Sequence, residues 1–457
     1  MPLTARDYAA RRRRVALATQ GCKVNQYETQ VLREGFLARG WTEVTFGREA
    51  DLTVINSCTV TSGSDRDLRK LVGRARRASP GGRVVVAGCR PEVDPAGCAG
   101  LAGVDAVVGN ARKLDLPEVA SRGDWERLAG GGPPPALAHV TGLAGRSRPI
   151  LKVQDGCDLH CSYCIVPLAR GPARSRPAAD VLEGARLLES RGYREVVLSG
   201  IQLGLYRDAA LPGGGLAALL AELLAGTHRL RLRLGSLLPR HVSPELIALF
   251  RAEPERLCPH LHVSLQSGDD GVLAAMRRPY RRAEYRDLLA HLADQLEDPC
   301  LGADVIVGFP GEDADAFART RDFVAGLPLA YGHVFPFSPR AGTEAARLHD
   351  DVPHDEKSRR GRVLRELLAA AGRDYRERQA GRTLRVVLER RLDDGRWLGT
   401  SGNYQRVILE SPAARPDGRA ESDFQAGDLV AAAVTGVEDA HLTARACARR
   451  AAAGGAP

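Results

Sequence analysis

Three apolar segments, residues 14–22 (RVALATQGC), 51–58 (DLTVINSC) and 83–89 (RVVVAGC), each end on a cysteine and are separated by stretches of helical character. Between the first two, residues 25–39 carry Tyr27, Val31, Leu32, Phe36 and Leu37 at helical spacing, and residues 64–77 predict a second helix. VDAVVG (104–109) adds a fourth strand. A parallel strand is reached only through a crossover, so this alternation predicts a doubly wound α/β sheet. Ligands of such sheets collect beyond the carboxyl ends of the strands, where Cys22, Cys58 and Cys89 all stand. A lone cysteine is most often a small buried hydrophobe. Three at equivalent strand ends favour ligands.

Residues 124–148 lose any period and include GGGPPP, which predicts an interdomain connector. From residue 149, PILKVQ, EVVLSG, LRLRLGSL, HLHVSLQ, CLGADVIVGF and YGHVFPF alternate with helical stretches such as 178–190 and 215–224. Six β-α units predict an open, partial (β/α)6 barrel, whose working face is the carboxyl end of its strands. The charged stretch 355–379 reads as a connecting helix, and the short alternating segments beyond it as a small antiparallel β-barrel. The expected division is 12–123 for the cysteine-edged domain, 124–148 for the connector, 149–380 for the partial barrel with its helix, and 381–448 for the terminal barrel. The tail AAAGGAP is expected to fray.

The loop after ILKVQ reads Cys157-Asp-Leu-His-Cys161-Ser-Tyr-Cys164. Three thiolates on one tight loop hold three irons of a 4Fe-4S cluster and leave the fourth open to a chelating cofactor. Structural zinc is the alternative; it requires a fourth Cys or His, and His160 inside the loop is poorly placed to serve. Of the ten cysteines, Cys98, Cys258, Cys300 and Cys447 have no partner spacing. With 44% hydrophobic and 26% charged residues the composition is globular, which excludes a disordered or fibrous chain. No apolar run approaches the roughly 18 residues that cross a bilayer, and the first residues lack a signal-peptide core, so a cytoplasmic protein without disulfides or membrane contact is expected. The net charge of +9 is concentrated in residues 1–150, where 23 Lys and Arg meet 15 Asp and Glu (+8). An anionic partner such as RNA is consistent with that excess.

The cysteine loop, with Tyr163 immediately before its third cysteine, resembles the radical S-adenosylmethionine (SAM) superfamily. IVPLARGPARSR (165–176), LHVSLQSGDDGVLAAMRRPY (261–280), ADVIVGFPGE (303–312) and FPFSPRAGTEAA (335–346) resemble, more narrowly, the methylthiotransferase family. The terminal barrel is similar to that family's RNA-binding TRAM module. The resemblance implies two 4Fe-4S clusters. The one on Cys157, Cys161 and Cys164 binds SAM and generates a 5′-deoxyadenosyl radical; the other, on Cys22, Cys58 and Cys89, supplies the sulfur. It further implies SAM contacts at Tyr163, Ser199, Gly200, Ser264, Gln266, Val307 and Gly308, and an electron donor such as flavodoxin or ferredoxin. A monomer is expected.

Family members act on tRNA adenosines beside the anticodon carrying N6-threonylcarbamoyl or N6-isopentenyl groups, or on an aspartate of a ribosomal protein. GCKVNQYET (21–29) and GTSGNYQRVILE (399–410) resemble the threonylcarbamoyladenosine branch, with the anticodon stem-loop of tRNA as partner. The other two substrates are the alternatives, and a zinc-stabilised, non-catalytic RNA-binding protein is the alternative of a different class. Arg170, Arg174 and Arg176 face either substrate or solvent in this reading. Cys89 is followed by Arg90-Pro91, a departure from the family pattern that bears on the sulfur-donor pocket.

Overall fold

The computed structural model describes residues 13–129, 138–410 and 424–447. Its first unit is a five-stranded, wholly parallel sheet in the order Thr42–Val44, Arg14–Thr19, Leu52–Ser57, Arg83–Gly88, Ala106–Val108. Because side chains alternate along a strand, Val15, Leu17, Leu52, Val54 and Val85 share one core with Leu32 and Phe36 of helix Lys23–Leu37. Ile55, Val84 and Val86 face the other way, onto Leu68, Val72 and Ala75 of helix Ser62–Ala78. The sheet is therefore covered on both faces, as the continuous apolar strands predict. The edge strand Thr42–Val44 escapes a sequence reading because its three residues, TEV, carry no apolar period.

The central unit pairs Ile150–Lys152, Glu195–Ser199 and Arg231–Leu234 in one parallel sheet, and His260–His262, Cys300–Val307 and Tyr331–Pro336 in another. Isolated parallel bridges Leu232–Leu257 and Leu237–Val263 join the halves into an open six-stranded barrel. Outward-facing Val196, Leu198, Ala303, Val305 and Val307 share a core with helix residues such as Ala185, Leu188, Leu289 and Leu364. The connector is more structured than its composition suggests. Val140 and Leu143 are buried in this same core, and Thr141 donates to Glu34 from its amide and its hydroxyl, both at 3.0 Å. Residues 130–137 of that expected connector, and the tail from 448, lie outside the described residues.

The terminal unit is a closed barrel of strands Thr383–Arg391, Trp397–Ser401, Arg406–Leu409, Leu442–Ala446 and Leu429–Val437. It departs from pure antiparallel pairing at one place, where Arg406–Leu409 and Leu442–Ala446 run parallel. It seals the amino-terminal mouth of the partial barrel through buried charge. Arg233 donates to the carbonyls of Gly402 at 2.9 Å and Ser401 at 2.8 Å, and to Glu195 at 2.7 Å. Arg231 donates to the Arg385 carbonyl at 3.0 Å, and the Tyr404 ring sits 4.4 Å from that of His260. Burial opposes ionisation of Glu195, but Arg233, Arg231 and Arg148 outweigh it and hold the carboxyl far below its usual range. Removing one partner of such a buried set costs about 3–5 kcal/mol, against about 1 kcal/mol or less for an exposed pair. Arg233→Met should therefore lower the melting temperature and the hydrogen-exchange protection of strands Thr383–Arg391 and Trp397–Ser401 far more than Arg385→Ala does.

Candidate functional site

Cys22, Cys58 and Cys89 come together beyond the carboxyl ends of three adjacent strands. Asn25 is the neighbour shared by Cys22 and Cys89, its Oδ1 lying 3.9 Å from the Cys22 sulfur and 4.0 Å from that of Cys89. Gly21, at φ +87°, lies so close to Cys58 that a Cβ there would stand 2.8 Å from the Cys58 sulfur, so only glycine lets the first loop fold over it. Each cysteine sits where a strand hands over to a helix. Cys22 caps helix Lys23–Leu37, Cys58 precedes helix Ser62–Ala78, and Cys89 opens helix Cys89–Val93. The first two helices turn their amide-rich ends toward this edge, while burial raises the Cys58 thiol.

The second trio occupies the loop beyond strand Ile150–Lys152. Gly156, at φ +70°, leads into it, and a Cβ there would strike the Pro172 carbonyl at 1.9 Å. The Cys157 amide donates to the Gly171 carbonyl at 3.1 Å, and the Cys164 amide to the Cys161 carbonyl at 3.0 Å, winding the loop around its three sulfurs. Burial pushes the Cys164 thiol up to about 12 and raises that of Cys157. Thiolates in such surroundings call for a positive partner, and iron is one. Arg278 supplies another: it donates to the Cys161 sulfur at 3.3 Å and to the Tyr163 hydroxyl at 3.4 Å, while its Nη2 has no partner among the described residues. An unpaired buried guanidinium nitrogen beside three convergent thiols fits an iron cluster with a carboxylate-bearing cofactor, and it fits zinc poorly because His160 is exposed.

A buried ionic network lies between the trios. Glu28 accepts from Lys152 at 2.7 Å, Arg170 at 2.6 Å and Lys113 at 2.5 Å. Lys152 also meets Asp155 at 2.6 Å. Arg170 continues onto Asn25 Oδ1, and Lys113 onto Asn110, whose amide reaches the Cys89 sulfur at 3.5 Å. Three cations against two carboxylates leave one positive charge in excess on the side of the Cys89 sulfur. A second clamp joins the units at Arg340, which donates to Asp65 at 2.8 Å and to the Thr59 hydroxyl at 2.9 Å.

This network corrects one expectation. Arg170 and Arg176 are not a solvated rim: both are buried, Arg170 on Glu28 and Arg176 on Tyr27 at 3.0 Å and Asp180 at 2.6 Å, and with Arg174 they line a cavity beside Lys113 and Lys152. Only Arg174 is exposed. Their roles depend on acids far away in the chain, which local spacing does not reveal. Arg278 and Glu28 also escape a sequence reading; each lies inside a distinctive motif, MRRPY and NQYET, which is the available signal.

The remaining expected contacts stand on or beside the barrel strands, with one correction: the Val307 side chain turns outward into the helix-packed core, because side chains alternate along its strand. Ser199 is buried at the end of strand Glu195–Ser199, and Gly200 lies against the Gln154 side chain. Gln266 holds φ +73°, its amide on the Asp304 carbonyl and its carbonyl on the Ile306 amide. Ser264 is half-buried, Val307 is buried, and the Gly308 amide donates to Glu312 at 2.9 Å. Tyr163 packs beside Met276 and Phe309. Cys98, Cys258 and Cys300 are buried singly, and Cys447 is exposed.

A three-cysteine loop at the carboxyl end of the first strand of a partial barrel defines a radical SAM enzyme. Residues 151–324 match the Radical SAM superfamily, and residues 14–109 match the uncharacterized protein family UPF0004. The chain is 36% identical to the threonylcarbamoyladenosine tRNA methylthiotransferase MtaB of Aquifex aeolicus, over 83% of this chain and 94% of that one. It is 33% identical to the protein of the same name from Bacillus subtilis, over 87% and 90%. It is also 33% identical to the tRNA-2-methylthio-N(6)-dimethylallyladenosine synthase of Sphingopyxis alaskensis, over 86% and 90%. Its fold is similar to that of the radical SAM methyltransferase TsrM of Kitasatospora setae, with a TM-score of 0.53 at 17% identity over 71% of this chain and 73% of that one. The chain belongs to the radical SAM methylthiotransferase family.

Burial opposes ionisation of Glu28, but Arg170, Lys113 and Lys152 hold its carboxyl well below 4.5. Its contribution to stability is thus complete above that pH and lost as the pH falls below it. Glu28→Gln should cost about 3–5 kcal/mol at neutral pH by leaving three cations without their common partner. In urea unfolding the gap from wild type should be widest near pH 7 and should narrow below pH 4.5.

Proposed function

We propose that the chain adds a methylthio group to C2 of N6-threonylcarbamoyladenosine beside the anticodon of tRNA. The observation that carries this reading is the pairing of two cysteine trios, one on the barrel loop and one at the sheet edge, held in register by a single buried network. Its support in sequence is the run GCKVNQYET and the extent of similarity to relatives named for this activity. Cys157, Cys161 and Cys164 hold the radical-generating 4Fe-4S cluster; Cys22, Cys58 and Cys89 hold the second, sulfur-donating one. When bound, these groups and SAM supply the hydrogen-abstracting radical and the transferable sulfur.

The protein's own part is positioning and charge. Arg278 stabilises negative charge at Cys161 and offers its free Nη2 to a SAM carboxylate. When SAM is bound, Ser199 and Gly200 would flank its amino acid part, while Ser264 and Gln266 would offer hydrogen bonds to its ribose or methionine portion. Gly308, with only the backbone of outward-facing Val307, would border its adenine, and Tyr163 packs behind the loop. The excess cation of the Glu28 network stabilises charge at the Cys89 sulfur. The working units are 12–123, 149–380 and 381–448, with 124–148 between them, and the exposed basic residues of the first unit meet RNA phosphates. Flavodoxin or ferredoxin delivers electrons to a cytoplasmic monomer. Among the described residues no helix is long and apolar enough to cross a membrane.

Anaerobically reconstituted protein should carry about eight irons with matching sulfide per chain. Joint replacement of Cys22, Cys58 and Cys89 by alanine should halve the iron and abolish methylthio transfer while SAM cleavage persists; replacing Cys157, Cys161 and Cys164 should abolish both reactions. A colourless, zinc-loaded protein would overturn the enzyme reading. Nucleoside mass spectrometry of tRNA from a deletion strain tests the substrate, because the 2-methylthio form of threonylcarbamoyladenosine should disappear there.

A further inference from the structure

Three side chains that neither cysteine trio nor the expected SAM contacts employ stand together on neighbouring strands. His262 ends strand His260–His262, Asp304 lies midway along Cys300–Val307, and His333 pairs in register with Asp304 from Tyr331–Pro336. The residues beside them, Leu261, Ala303, Val305 and Val334, belong to the helix-packed core, so the three turn into the barrel interior. One ligating atom from each lies within 4.8 Å of the others.

His262 carries a second, independent observation. Its side chain is only 8% exposed, and its Nε2 lies 3.0 Å from Asp304 Oδ2, yet the direction is wrong for a hydrogen bond and Nε2 makes none among the described residues. A ring nitrogen this deeply buried is costly unless something takes its lone pair. The other ring nitrogen is already committed: Nδ1 lies 2.9 Å from the Tyr331 hydroxyl, which also meets His260 Nε2 at 2.7 Å. Tyr331 reaches between the two histidines by crossing Gly302, where a Cβ would stand 2.1 Å from its ring. A hydroxyl that accepts from Nδ1–H leaves Nε2 bare, which is how the outer partner of a metal-bound histidine sets its tautomer.

We propose that His262 Nε2, Asp304 and His333 bind one divalent first-row transition metal, zinc or ferrous iron, inside the barrel. Two imidazoles and a carboxylate are a donor set for such ions. Ligand atoms about 2.1 Å from one ion stand roughly 3–3.5 Å from each other. His262 and Asp304 hold that spacing already, and the exposed His333 ring completes the set by rotating about its side-chain bonds. Exposure rises from His262 through Asp304 at 24% to His333, so the side of the ion without a protein ligand faces the open interior. Three protein ligands and an open position suit an ion that takes water or a donor atom of a substrate. The site contains no cysteine and does not depend on the substrate reading above.

The reconstituted full chain, with its clusters in place, can be dialysed anaerobically against micromolar zinc and its metals counted. Wild type should hold about one zinc per chain with its iron unchanged, and X-ray absorption at the zinc edge should show nitrogen and oxygen donors, imidazole among them, without sulfur. Asp304→Asn and His333→Ala should each weaken zinc binding by about tenfold or more, and Tyr331→Phe, which removes only the outer hydroxyl, by about tenfold. Circular dichroism should show all three variants folded. Wild type that retains no zinc overturns the proposal. Sulfur in the zinc shell does so too, by placing the ion on cysteines, as does zinc affinity that neither Asp304→Asn nor His333→Ala alters.

Discussion

The carboxylate of Glu28 is the point on which the two halves of the site depend. It projects from a helix of the first unit and binds Lys113 of its own unit together with Lys152 and Arg170 of the barrel. Buried ions are tolerated only when paired and fully hydrogen-bonded, so the geometry of one partner dictates that of the rest. Lys152 belongs to the strand that leads into the Cys157 loop, and Arg170 to the short helix that follows it. Arg170 also holds Asn25, the neighbour shared by Cys22 and Cys89. The relative placement of the two sulfur sets is thereby fixed by side chains that carry no chemistry themselves.

A similar economy governs the far end of the barrel. Strand Arg231–Leu234 alternates leucines, packed against helices, with arginines turned inward onto Glu195. The inward arginines would be costly to bury without acceptors, and the terminal barrel provides them as backbone carbonyls. The terminal unit therefore closes the barrel mouth and satisfies its charges at once. Further along the interior the residues become more exposed, ending at His333 and Phe335.

The parts of this arrangement that are legible in sequence are those whose signal is local. Strand ends at Cys22, Cys58 and Cys89, the Cys157 loop, and the alternation of apolar strands with helices are all written within a few residues. The edge strand Thr42–Val44 is not legible because it has no apolar period, and the connector's Val140 and Leu143 are masked by the Gly- and Pro-rich composition around them. Arg170 and Arg176 mislead because a charged side chain reads as exposed until its distant partner is known.

The sequence alone determined the fold class, the order of the units and the six cysteines singled out for iron, since hydrophobic period and ligand spacing are properties of short segments. Only the tertiary structure decided which charges are buried, that Glu28 joins the units, that Arg278 meets Cys161, and that His262, Asp304 and His333 share one face. Those outcomes depend on pairing across large sequence separations. Desolvation makes an ionised group wait on a partner that no local pattern names.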